Sequence, residues 1–146
     1  RLLGPLGIKL RSVRFSITEI DGKQIVIQEQ TGSGRKDIIG VKIEPYKISQ
    51  AWKNRIGKYE IVNNKPGDFI MFDDFELKTH DGFLILASTL QFEPKQQLEP
   101  ALIVISDELA YVAGLGRQGG YSVQVIHDKD GNEYLYYSGF KLRKKE

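Results

Sequence analysis

Apolar and polar residues alternate with period two through most of this chain, the signature of half-buried β-strands. Within 8–20, Val13, Phe15 and Ile17 share one face, with Arg14, Ser16 and Thr18 on the other. Asp21-Gly22 is a hairpin turn signal, and Ile25 and Ile27 are expected to continue the apolar face on the return strand. After the loop Thr31-Gly-Ser-Gly34, the pattern resumes at Ile39, Val41 and Ile43 and stops at Glu44-Pro45, so residues 1–47 read as a strand meander.

The helical signal is confined to residues 48–56. Ser49 can cap it, Ala51, Trp52 and Ile56 can share a face, and Gly57 ends it. Such a short helix depends on Trp52 packing against something, and the end of the sheet is the expected partner.

Strand signals return at Lys58–Val62, followed by the turn Asn63–Asp68. Phe69, Met71, Phe75 and Leu77 then fall on one face together with Asp73. Either the strand bulges at Asp73-Asp74 or a carboxylate enters the core, and the bulge is the cheaper solution. His80-Asp-Gly82 turns into Phe83–Ala87, apolar on both faces and hence covered on both or at an edge under another segment. Phe92–Pro100 reads as a loop with two prolines, followed by short strands at Leu102–Ile105 and Leu109–Val112. A closing hairpin pairs Val123 and Val125, across the turn Asp128–Gly131, with a second strand placing Tyr134, Tyr136, Phe140 and Leu142 on one face.

About nine or ten short strands with turns between them and one short helix predict an all-β fold. Tight hairpins between alternating strands favour an antiparallel up-and-down β-barrel, lipocalin-like in form, occupying 1–146 as a single domain with residues 57–145 as its remaining strands. The 146 residues suit one domain, and 40% hydrophobic with 27% charged residues is ordinary globular composition. The absence of cysteine excludes disulfides and thiolate metal sites. A net charge of +2, concentrated near Lys141–Lys145, argues against a nucleic-acid surface. No apolar run approaches the roughly 18 residues of a spanning helix. An opening Arg and an early Gly-Pro, unlike a signal peptide, suggest a fragment of a longer protein.

Candidate chemistry is sparse. Ser33-Gly-Arg-Lys36 matches the Ser-x-x-Lys of acyl-transferring enzymes, but lies in a Gly-rich turn with no helix beneath it. His80 and His127 stand beside Asp81 and Asp128 at turns, without a serine elbow or a third metal ligand. Asp73-Asp74 and Asp128-Lys-Asp130 lack the oxygen spacing of a calcium loop, so no metal site and no cofactor are expected. The glycines at 114, 116, 119 and 120 lead into a strand rather than a helix, which favours a bend over a phosphate loop. Arg117 among them can cross the barrel end and stack on Trp52 or Tyr59, or line a ligand mouth.

Trp52, Gly57-Lys-Tyr59-Glu, Gly116–Gly120 and Tyr137-Ser-Gly-Phe140 together resemble the C-terminal lipocalin-like domain of beta-lactamase-related (penicillin-binding-protein-like) serine hydrolases, best over Trp52 to Arg143. The resemblance implies a noncatalytic accessory barrel that assists substrate selection, active-site access or assembly. Its partner would be an N-terminal catalytic domain of the same parent protein, in a secreted or cell-envelope setting, and a homo-oligomer is compatible with it. Gly57-x-Tyr59 is similar to the lipocalin Gly-x-Trp element, with Tyr in place of Trp. The alternatives are a free-standing carrier of a small apolar ligand, with Phe69, Phe75, Tyr134, Tyr136 and Phe140 facing a shared interior, and an interaction module using strand edges or the basic tail. For a carrier, Trp52, Tyr59 and Arg117 are the candidate ligand-binding residues.

Overall fold

The computed structural model describes residues 12–65, 72–114 and 120–146. The chain divides into two compact units, Arg1–Glu44 and Pro45–Glu146.

The first unit holds a sheet of β1 (Val13–Ile20), β2 (Lys23–Gln30) and β3 (Lys36–Val41) in that order. Asp21 and Gly22 both adopt positive φ, 51° and 73°, as the twist of a two-residue hairpin demands. That loop length pairs Ile20 with Lys23, so odd positions of β1 oppose even positions of β2. Ile17 therefore faces Val26 and Phe15 faces Gln28, while Ile25 and Ile27 lie opposite Thr18 and Ser16. The apolar face thus does not continue as the alternation suggested: Ile25 and Ile27 are on the reverse side from Phe15 and Ile17. A one-residue difference in register exchanges the faces of a whole strand.

The second unit begins with α1 (Gln50–Asn54) and contains β4 (Gly57–Ile61), β5 (Phe72–His80), β6 (Phe83–Leu90), β7 (Gln96–Leu98), β8 (Ala101–Ser106), β9 (Leu109–Val112), β10 (Ser122–His127), β11 (Glu133–Tyr137) and β12 (Phe140–Lys144). Eight of these, all but β7, form a closed antiparallel barrel in chain order, sealed by the pairing of β12 with β4. This is the up-and-down barrel expected from the sequence, but its wall is complete without β1–β3. The opening meander forms its own sheet instead of contributing barrel strands. β6 gives one edge to β5 and shares the other between β8 and β7, so the proline-bearing loop conceals a short strand.

Two local features decide which side chains face inward. At β5, Asp74 takes φ 50° and the register with β6 shifts between Asp73 and Glu76. This is the expected bulge. One extra residue lets Phe72 and Phe75 both be buried while Asp73 and Asp74 are exposed. At the end of the chain, Ser138-Gly139 forms a two-residue turn between Tyr137 and Phe140, so the second strand of the closing hairpin is really two strands. Leu135 and Tyr137 occupy the buried face there, and Tyr136 is exposed, reversing the expected assignment of Tyr134 and Tyr136.

The interior is filled by Leu77, Leu84, Leu86, Leu102, Leu135 and Leu142, each at most 1% exposed, with Phe72, Phe75, Tyr137 and Phe140 packed ring to ring at 5.8–6.1 Å. An eight-stranded barrel is just wide enough for its own side chains to fill. Each fully buried Leu or Phe contributes about 1.5–3 kcal/mol of transfer free energy. On β6, Ile85 is also buried although Leu84 and Leu86 face the core, so both faces of this strand are covered as expected.

Two hairpin glycines separate backbone strain from crowding. Gly82 has φ 81°, and a Cβ there would sit 2.8 Å from the Pro45 Cβ, whereas Gly139, with φ 86°, has open space around it. Gly139→Ala should cost about 1–2 kcal/mol from the left-handed backbone alone. Gly82→Ala should cost measurably more, and urea unfolding followed by Trp52 fluorescence is the check.

Candidate functional site

Trp52 and Tyr59, two of the residues singled out by sequence, lie at one end of the barrel. Ser49 caps α1 by accepting a hydrogen bond from the Trp52 amide at 3.4 Å. A helix of this length cannot persist by itself, and side chains anchor it to the strands. Trp52 is fully buried, and its Nε1–H donates to the Ser106 carbonyl at 2.7 Å, where β8 ends. The indole is thereby both packed and satisfied.

Arg55, the C-cap of α1, joins the surrounding elements. Its guanidinium lies 5.2 Å from the Trp52 ring centroid. Nε and Nη2 donate to the two carboxylate oxygens of Glu133 at 2.9 and 2.7 Å, and Nη1 donates to the Asp107 carbonyl. The Tyr59 hydroxyl donates to the Arg55 carbonyl at 2.6 Å. One side chain thus connects the helix, the β8–β9 turn and the start of β11. Its geometry is the paired fork that arginine alone offers.

The electrostatics follow from that geometry. The hydrogen bond and charge of Arg55 hold the Glu133 carboxyl below the usual glutamate range, and Glu133 in turn raises Arg55. Burial, then the nearby Glu133 carboxylate, pushes the Tyr59 hydroxyl far up, while burial raises Tyr137 to about 12. These are the protonation states of a structural clasp: a fixed cation, a fixed anion and neutral phenols.

Of the candidate ligand residues, Trp52 and Tyr59 are both buried at this end, and Arg117 lies outside the described residues. Among the described residues, the cation stacked on Trp52 is Arg55. Its spacing of three residues from Trp52 in the same helical segment was a readable signal. Glu133 carried none, because its proximity arises only when the barrel closes.

Other candidates remain apart. The Ser33 hydroxyl, in an exposed loop, accepts from the Arg35 amide at 3.3 Å, and Lys36 is already in β3 opposite Glu29. His80 is exposed and lies 3.3 Å from Asp81, and His127 is 3.7 Å from Glu133. Asp128 acts as a loop organiser. It accepts from the Asp130 and Asn132 amides, the Asn132 side chain and the Tyr134 hydroxyl, all at 2.9–3.0 Å. These bonds, the Asn132 side chain first, hold its carboxyl down at about 2. Among the described residues, no group of three or more His, Asp or Glu is arranged to hold a metal ion, and no helix is long and apolar enough to cross a membrane. Open space lies instead on the barrel wall. Grooves of about 270 and 210 Å³ flank the β5 bulge and share Asp74, Phe75 and Lys145.

Glu133→Gln should cost about 2 kcal/mol, since it removes the anionic partner of a guanidinium whose side chain is only 10% exposed. Because folding lowers the Glu133 pKa, its stabilisation is complete above the ordinary glutamate range near pH 4.3 and disappears as pH falls through the folded value. The stability difference between wild type and Glu133→Gln should therefore shrink on acidification, measured by urea unfolding at stepped pH.

Known protein families, curated proteins and solved structures contain no match to this chain.

Proposed function

We propose that the chain is a noncatalytic accessory domain of a beta-lactamase-related serine hydrolase, assisting substrate selection, active-site access or assembly from the outside of its barrel. The observation that carries this reading is the filled interior, with Trp52 packed against the core at one end and fixed there by Arg55. Side chains that occupy the lumen leave the outer wall and the loops to do the work, as an accessory role requires. The resemblance from Trp52 to Arg143 supplies the parent enzyme and the secreted or envelope setting. The partner in this reading is an N-terminal catalytic domain, which would hold the reacting serine.

The isolated chain should turn over neither a chromogenic β-lactam nor an amino-acid amide. Hydrolysis that Ser33→Ala abolishes would overturn the proposal. The carrier reading requires an apolar ligand to displace core side chains near the indole. Titration with fatty acids and retinoids should therefore leave Trp52 emission unchanged, and a saturable shift would favour carriage instead.

A further inference from the structure

The two edges of the first unit's sheet differ in kind. β3 is protected against further pairing: its register with β2 shifts between Val26 and Ile27, leaving Ile39 without an opposite residue, and Lys36, Asp37 and Gly40 fall in the same short strand. β1 has none of these devices. Its register with β2 is unbroken from Val13 to Ile20, it contains no glycine or proline, and its central Phe15-Ser-Ile-Thr18 is uncharged. All of β1 is exposed, Phe15 at 62% and Ile17 at 73%, and among the described residues it pairs with β2 alone.

Ladder geometry fixes which main-chain groups that edge offers. In a two-residue hairpin the flanking Ile20 and Lys23 exchange both hydrogen bonds, so the even-numbered residues of β1 bond to β2. The Thr31 amide, donating to the Ser12 carbonyl at 3.0 Å, continues that parity. Val13, Phe15, Ile17 and Glu19 therefore direct their N–H and C=O groups away from the sheet. A flat strand with free groups at alternate positions is a template for another strand.

We propose that a second copy of this chain supplies that strand, β1 pairing antiparallel with β1 about a two-fold axis at Ser16. Only that centre sets all the outward positions against one another, with Val13 opposite Glu19 and Phe15 opposite Ile17 of the second copy. A centre at Ile17 would set Phe15 against Glu19 and leave Val13 beyond the end of β1. The Phe15–Ile17 contact puts an aromatic against a β-branched side chain on both sides of the axis, and Val26 beside Ile17 extends it across the sheet. No like charges meet, because Arg14 falls opposite Thr18. The association closes at two copies, since the pairing is isologous and the β3 edges left outside are blunted. This interface lies within the first unit and is independent of the accessory-domain reading.

Sedimentation velocity of the full chain over a concentration series should show a monomer–dimer equilibrium and nothing larger. Ile17→Pro removes an outward N–H while sparing the ladder with β2, and should weaken dimerisation at least about tenfold. Single cysteines locate the interface, because the chain has none of its own. At the axis, Ser16 faces Ser16 in a non-hydrogen-bonded pair whose Cα atoms lie about 4.5 Å apart, within disulfide reach. Ser16→Cys should therefore cross-link between chains on mild oxidation, and Lys36→Cys, on the opposite edge, should not. If Ile17→Pro unfolds the sheet, the two cysteine variants decide. The proposal is overturned by a monomer at every concentration up to millimolar, by a dimer that Ile17→Pro leaves intact, or by cross-linking no faster at Ser16→Cys than at Lys36→Cys.

Discussion

The guanidinium of Arg55 is the contact on which the closed end of the barrel depends. A five-residue helix has almost no stability of its own, and a barrel of short strands gains its core only if its ends exclude water. Arg55 meets both requirements by covering the Trp52 ring while engaging Glu133 and the Asp107 carbonyl. Burying that charge is tolerated because each guanidinium nitrogen has a hydrogen-bond acceptor. Among the described residues, no buried side-chain nitrogen or oxygen lacks a partner. The indole N–H and the Tyr59 hydroxyl follow the same rule by ending on carbonyls of Ser106 and Arg55.

The opposite regime operates at the β5 bulge. Asp73 and Asp74 stay at the surface because the chain spends one extra residue to keep two phenylalanines inside. The cost is an interrupted ladder with β4. The barrel thus has a sealed end and an opened wall, both set by how polar groups are kept out of its core.

Much of this architecture was legible because it rests on local chemistry. Asp21-Gly22 and Asp81-Gly82 identify two-residue hairpins from composition alone, and an aspartate pair within an apolar alternation is accommodated most cheaply by a bulge. What was not legible depends on register and closure. Reading Tyr134 to Leu142 as one strand overlooked the turn at Ser138-Gly139, and this assigned Tyr136 rather than Tyr137 to the core. Ile25 and Ile27 were placed on the wrong face because the parity of a two-residue loop outweighs the appearance of continuous alternation. Arg55 was available three positions after Trp52, but its carboxylate partner lies 78 residues away and meets it only across the closed barrel.

Acrylamide quenching of intrinsic fluorescence tests the sealed end most directly, because Trp52 is the only tryptophan in the chain. The folded protein should emit at short wavelength and be quenched far less than the urea-unfolded chain. Emission and quenching in the folded protein equal to those of the unfolded chain would contradict a sealed end.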